Sequence, residues 1–251
     1  METPDTHPSL DIKGAQAIVS LRRPASANRL SPQDIEVLHQ HLATLRSSPA
    51  VRVVELRSLG PHFCSGFQID VANEVNAPEL FEGLTNAWES LPQTTLAVLQ
   101  GDVWGGAVDL ALACDFRLSN GQGRLGIPAA RLGLHFYGSG MARLTSRLGA
   151  SAAKRLLLAG EVWSADRWVA EGFAESSEPD LDGLAERWRG QLLALAPLAQ
   201  AGMKRHINAL LRDRLDLDLL QLDQARCAAS NDFAEGLAAW RAKRPPRFSG
   251  T

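Results

Sequence analysis

Cysteine is scarce in this chain. Cys64, Cys114 and Cys227 are the only three among 251 residues. They are odd in number and far apart, with no Cys-x-x-Cys spacing and no histidine cluster beside them. That excludes a disulfide framework and a thiolate–zinc site, and it fits a reducing compartment. An excess of one charge is also lacking: 26 Lys and Arg stand against 28 Asp and Glu, for a net charge of −2. The isoelectric point is near 6.3. A nucleic-acid-binding or membrane-surface protein would carry a basic field, so neither partner is expected. No apolar run approaches the roughly 20 residues that a membrane span needs. Met1 to Pro8 is polar and contains acids and two prolines, unlike a basic-then-apolar signal peptide. The expected location is the cytoplasm. No segment repeats at a fixed period. What the chain does have is apolar residues, 45% of the total, enough for a substantial core in one large domain or a domain with an appendage.

Periodicity orders the chain. Ala15 to Leu21 reads as a strand. Ser31 then offers an N-cap with Pro32 at the first helical position, and Ile35, Leu38, Leu42 and Leu45 recur at helical spacing until Pro49. Val51 to Leu56 is a second strand, followed by a glycine-bearing turn over Leu59 to Phe67 and a weakly amphipathic helix over Pro78 to Leu91. Thr95 to Leu99 is a buried strand leading through Gly101 and Gly105-Gly106 into an apolar helix, Ala107 to Cys114, with a strand restarting at Asp115. Strands alternating with helices predict an α/β fold with a largely parallel sheet. After Pro197 the alternation disappears and leucines recur every three or four residues. We therefore expect a core over residues 1–196 and a helical subdomain over 197–251, packed either on another subunit or back on its own core.

Chemistry concentrates at the glycines. Gly105-Gly106, at a strand-to-helix junction, lets the backbone approach a ligand, and the helix that starts there presents free N–H groups and the positive end of its dipole. An oxyanion would be favoured there, although neither GxGxxG nor GxxxxGK is present. The plainer explanation is tight helix–strand packing. Asp109, three residues on, lies in the apolar run AVDLALAC. It shares a helix face with Gly106 and could reach a ligand held there, or it could simply complement the dipole. Enclosure by apolar neighbours is expected to raise its pKa toward an acid/base range. A second glycine-marked turn, Phe63-Cys64-Ser65-Gly66-Phe67-Gln68, offers no base for Cys64, which reads as a small core residue.

These two glycine loops, about forty residues apart, are where the sequence resembles the crotonase (enoyl-CoA hydratase/isomerase) superfamily. The likeness runs collinearly through Arg23-Pro24, Asn28-Arg29-Leu30, VRVVEL, FCSGF, GGAVDLALACDFRL, Leu125-Gly126-Ile127-Pro128 and Leu132-Gly133-Leu134. It continues through Ala153-Lys154-Arg155-Leu156, Asp232-Phe233-Ala234-Glu235-Gly236-Leu237 and Lys243-Arg244-Pro245-Pro246. The resemblance implies a spiral of ββα units with a C-terminal helical region, assembled as a homotrimer or a dimer of trimers. It also implies an acyl-CoA thioester as substrate, with coenzyme A entering only as part of that substrate and no separate cofactor or metal.

Carried over by position, the N–H groups of Phe67 and Gly106 form an oxyanion hole for a thioester enolate, and Asp109 is the acid/base. Ser65, Gln68 and Ile69 lie in the stretch that contacts the adenine, Gly105 and Trp104 border the thioester and acyl group, and Lys243 serves the phosphates of coenzyme A in a neighbouring subunit. Departures from the family pattern bear on the reaction. Asp109 replaces the first glutamate and reaches less far, Ala129 replaces the second and moves no protons, and Gln68 replaces an aspartate. His135 and Tyr137 sit in the loop His135-Phe136-Tyr137-Gly138-Ser139-Gly140 and are the compensating candidates. Alternatively, His135 is satisfied by a backbone carbonyl and Tyr137 lines the acyl pocket. These departures favour a single-base isomerase or a decarboxylase over a hydratase, with a catalytically silent acyl-CoA-binding paralogue as the alternative.

Overall fold

A computed structural model describes residues 6–68 and 76–251. The first two strands, β1 (Ser9–Lys13) and β2 (Gln16–Leu21), form an antiparallel hairpin. Helix α1 (Pro32–Arg46) follows, its start fixed by a capping box in which Ser31 and Asp34 each accept the other's backbone N–H. Such a cap is worth about 1 kcal/mol. Then come β3 (Val53–Ser58), α2 (Ala77–Glu89), β4 (Thr94–Leu99), β5 (Val103–Trp104), α3 (Gly106–Ala113), β6 (Phe116–Ser119) and β7 (Arg124–Gly126). Helices α4 (Gly138–Leu148) and α5 (Ala150–Leu157), strands β8 (Val162–Ser164) and β9 (Ser176–Ser177), and helix α6 (Leu181–Leu193) complete the α/β part. The chain closes with α7 (Pro197–Leu210), α8 (Leu217–Ala228) and α9 (Asn231–Arg241).

The main sheet has the order β1-β2-β3-β4-β6-β9, parallel throughout except for the β1–β2 hairpin. A smaller sheet, β5-β7-β8, stands beside it. The expected elements are present, with β3 displaced two residues toward the C terminus because the Val51 amide is taken up by the turn after α1, donating to the Ser48 carbonyl at 3.0 Å. Strand β4 is buried at every position, as a central parallel strand covered on both faces should be. The core between sheet and helices is filled by Trp88, Trp163, Trp168, Phe63 and Phe173.

The turns leaving successive parallel strands lie one upon another. A Cβ on Gly60, after β3, would come 2.5 Å from the Cβ of Pro24, which follows β2. A Cβ on Gly101, after β4, would overlap the Pro61 carbonyl, and one on Gly123, after β6, would overlap Gly101 itself. Each storey of the spiral thus rests on the backbone of the one before.

The described elements after residue 196 are all helical. Helix α7 is tied to the core of its own chain, with Lys204 Nζ 2.7 Å from both the Gln93 carbonyl and Asp115 Oδ2. Helices α8 and α9 leave large apolar side chains in solvent, among them Leu217, Leu222 and Trp240, the last 80% exposed.

Candidate active site

The two glycine loops meet. The first is stitched to residue 30: the Leu30 amide donates to the Gly66 carbonyl and the Gln68 amide donates to the Leu30 carbonyl, both at 2.9 Å. In that parallel bridge the N–H of Phe67 points away from Leu30. On its other side the loop pairs with the second, through Trp104 N–H to the Cys64 carbonyl at 3.0 Å. Gly66 has φ +90°, and a Cβ there would lie 3.2 Å from Gly106 N, so only glycine allows this approach. Gly106 opens α3 with its amide unpaired, as expected at a first helical turn. Among the described residues, neither the Phe67 nor the Gly106 amide has an intramolecular acceptor. Gly105 is different: its N–H donates to the Gly126 carbonyl at 2.8 Å.

An aromatic group surrounds this junction. Phe81 of α2 lies edge-on to Phe67 at 6.4 Å and tilted against Tyr137 at 6.4 Å, and Tyr137 stacks on Phe136 at 4.7 Å. A Cβ on Gly106 would be only 2.7 Å from the Phe81 ring.

Asp109 is one turn further along α3 and 0% exposed. Its carboxylate does not open toward solvent. Oδ1 accepts from Arg143 Nε at 2.8 Å, and Oδ2 accepts from Arg143 Nη2 at 2.8 Å and from the Tyr137 hydroxyl at 2.7 Å. The expectation of a carboxylate in a purely apolar enclosure is corrected here, because its enclosure is an ion pair. Tyr137 is half-buried. Burial first, and the adjacent Asp109 carboxylate second, push the phenol well above its ordinary pKa, so Tyr137 rests as a neutral phenol. Burial alone would lower the pKa of Arg143, but the hydrogen bonds and charge of Asp109 and the charge of Glu89 reverse this and raise it.

Among the described residues, the remaining candidates take no part in the carboxylate network. His135 is exposed, with Nδ1 2.7 Å from the Phe136 carbonyl, and takes no part in the carboxylate network. The Trp104 ring donates to Asp102 at 3.2 Å, lies under Arg124 and covers Gly126, which gives it a place in the small sheet instead of the aromatic group. Ser65 donates its amide to the Ala27 carbonyl at 2.9 Å. Lys243 is exposed on the turn after α9, and Ile69 lies outside the described residues. Cys64 is fully buried, with its thiol pushed up to about 12 by burial, which suits a core residue. Among the described residues, no group of three or more His, Cys, Asp and Glu converges as metal ligands would.

Arg143, Phe81, Thr85 and Glu89 were not anticipated. A signal for Arg143 existed: with Gly140 and Leu144 it occupies the buried stripe of α4, where a cation demands a buried partner.

Comparison with known proteins agrees with this architecture. The enoyl-CoA hydratase/isomerase family profile matches residues 11–251, and this chain belongs to that family, the crotonase superfamily. Mouse (Mus musculus) mitochondrial methylglutaconyl-CoA hydratase is 28% identical over 93% of this chain and 79% of its own length. An enoyl-CoA isomerase/hydratase of Mycosarcoma maydis is 30% identical over 96% and 95%. Among solved structures, an enoyl-CoA hydratase from Bacillus anthracis superposes with a TM-score of 0.90 at 27% identity, covering 98% of this chain and 100% of that one. An enoyl-CoA hydratase/carnithine racemase from Magnetospirillum magneticum gives 0.89 at 30% identity, with 99% and 97% covered. The fold is therefore the crotonase α/β fold with its C-terminal helical region, and the chain is an enzyme of the hydratase/isomerase type. None of the described helices is long and apolar enough to cross a membrane.

Proposed function

We propose that this chain binds an acyl-CoA thioester and stabilises its enolate between the main-chain amides of Phe67 and Gly106. The observation that carries this reading is a pair of N–H groups with no acceptor among the described residues, on two loops in contact, one of them at the positive end of α3. An oxyanion lodged there accepts from both, and one such donor is worth about 3 kcal/mol in the transition state. Because the donors are main-chain groups, the bulk of Phe67 removes neither.

Proton handling falls to the hydrogen-bonded pair of Asp109 and Tyr137. With Ala129 in the second-carboxylate position, a single-carboxylate reaction such as isomerisation, or a decarboxylation whose electron pair flows directly into the enolate, is favoured over two-carboxylate hydration. Coenzyme A enters as part of the substrate, its adenine along Ser65, Gln68 and Ile69 and its phosphates near Lys243 of a neighbouring copy. The exposed apolar side chains of α8 and α9 support burial against further copies, as a homotrimer or a dimer of trimers in the cytoplasm.

A second reading, a catalytically silent acyl-CoA-binding paralogue, is favoured by the enclosure of Asp109. Turnover of crotonyl-CoA, 3-enoyl-CoA and malonyl-type thioesters, together with α-proton exchange in deuterium oxide, separates the two. Enolate chemistry predicts exchange or turnover of at least one ester, reduced at least about 100-fold by Asp109→Asn. Tight binding without either process identifies the silent paralogue, and failure to bind any CoA ester refutes both readings.

A further inference from the structure

Asp109 and Tyr137 share a partner that the family motifs did not single out. Arg143 of α4 is 2% exposed, although it is a cation. Its guanidinium grips Asp109 with two parallel bonds, Nε to Oδ1 and Nη2 to Oδ2, each 2.8 Å. The remaining donors point at α2 and at the start of α4. Nη1 reaches Asn86 Oδ1 at 3.0 Å and Glu89 Oε2 at 3.1 Å, while Nη2 also reaches Thr85 Oγ1 at 2.6 Å and Ser139 Oγ at 3.3 Å. A planar guanidinium with every edge occupied has one orientation, and it passes that constraint to whatever it holds.

The charges facing this group come from the two helices it bonds to. Helix α3 supplies Asp109 and α2 supplies Glu89. Glu89 is itself held by Arg147 of α4 at 3.3 Å and by Arg212, just beyond α7. Among the described residues, Asp109 thus faces one cation and Glu89 faces three. With Arg143 on one side, the only other donor to the Asp109 carboxylate among the described residues is the Tyr137 hydroxyl. Tyr137 also has a share of the surface, which Asp109, Arg143 and Thr85 lack.

We propose that Arg143 is a positioning residue for the reaction: it clamps Asp109 so that Oδ2 is held on the Tyr137 hydroxyl, and Asp109 exchanges protons with the substrate only through Tyr137. The inference rests on the enolate reading above. In the forward step the substrate Cα–H bond breaks, its electron pair becomes the enolate, and its proton is taken by Tyr137 Oη. The proton that Oη carried passes to Asp109 Oδ2. Tyr137 ends neutral and Asp109 ends protonated, and the reverse sequence returns the proton to the product.

Tyr137 is the only tyrosine in the chain, so a chain labelled with 13C at the tyrosine Cζ gives one resonance that reports this hydroxyl without any turnover. Arg143→Gln is expected to shift that resonance and to speed exchange of the hydroxyl proton by about tenfold or more. It should also lower kcat for thioester α-proton exchange by about 10- to 100-fold while KM stays within about threefold. Arg143→Lys, which keeps a charge between Asp109 and Glu89 but cannot make both parallel bonds, should recover part of each and serves if the glutamine variant does not fold. In an Asp109→Asn background, Arg143→Gln should cost less than about threefold further, because the clamp then has nothing to orient. An unmoved tyrosine resonance with undiminished exchange in either folded Arg143 variant overturns the role of Arg143 while leaving the enolate reading in place. So does a full further loss in the Asp109→Asn background. A wild-type chain that processes no thioester overturns the enolate reading itself, and with it any reaction to position.

Discussion

Replacing Gly106 by alanine tests the closest approach in the site. The new Cβ would stand 2.7, 2.9 and 3.1 Å from Cε1, Cζ and Cδ1 of Phe81. Carbon pairs are at rest near 3.5–4.0 Å, so the nearest ring atom must retreat by about 0.8–1.3 Å. It has little room, because Phe81 is 2% exposed and lies between Phe67 and Tyr137. Overpacking of this kind costs about 1–3 kcal/mol, against which alanine recovers up to about 1 kcal/mol of helix propensity. Net destabilisation should be about 0–2 kcal/mol, read from the urea midpoint. The loss of activity should be larger. If the displacement moves the Gly106 N–H off the enolate oxygen, about 3 kcal/mol of transition-state stabilisation goes with it, or roughly 100-fold in kcat. Phe81→Leu removes the obstructing ring edge, so the double variant should be more stable than the sum of the single changes by about 1 kcal/mol. A Gly106→Ala chain with wild-type midpoint and wild-type kcat, or a strictly additive cycle, would refute both the packing and the placement of the donor.

Three further outcomes follow from the packing. Arg117, only 4% exposed, donates to the Phe173 and Cys114 carbonyls and pairs with Glu175; Arg117→Met leaves those carbonyls without this donor and should cost about 1–3 kcal/mol by urea unfolding, and an unchanged midpoint would show the contacts to be dispensable. Glu235 is held down to about 2, first by the Arg244 hydrogen bonds and then by the Arg247 amide. A depressed carboxylate stabilises the fold above its unfolded pKa near 4.5 and loses that contribution as pH falls toward 2. Cleavage of the residues after α9 by an acid-active protease should therefore rise across that window and become pH-insensitive in Glu235→Gln. Finally, Cys64 and Cys114 are buried with their thiols pushed up to about 12 by burial, whereas Cys227 is partly exposed. Alkylation of the native chain should mark Cys227 alone, and early labelling of Cys64 would mean that the first glycine loop opens.

Much of the architecture was legible because its signals are local. Ser31 with Pro32 announces α1, the unbroken apolar run Thr95 to Leu99 announces the central strand, and glycines mark the strand exits. The hairpin strand β1 was not legible, since its residues are half-buried or exposed and only the pairing with β2 makes it a strand. Strands β5, β8 and β9, two or three residues each, lie below what periodicity can register. At the site, the glycine loops and Asp109 were visible from spacing, and the bond between Asp109 and Tyr137 joins two residues singled out separately. Arg143 was hidden because its partners lie 34 and 54 positions away in the chain. His135, chosen for its chemistry alone, lies outside the network, since nothing in its own segment says which way the ring turns.

The stacked turns after β2, β3, β4 and β6 carry a consequence for how such a chain can change. Each turn is the floor for the next, and at Gly101 and Gly123 the space left for a side chain is already occupied by main-chain atoms. An insertion in one turn would lift every storey above it, the loop bearing Gly106 included. Variation in substrate range is therefore expected outside this column, in single side chains of α2 that face the amides, such as Phe81, and not in the length of the turns that carry them.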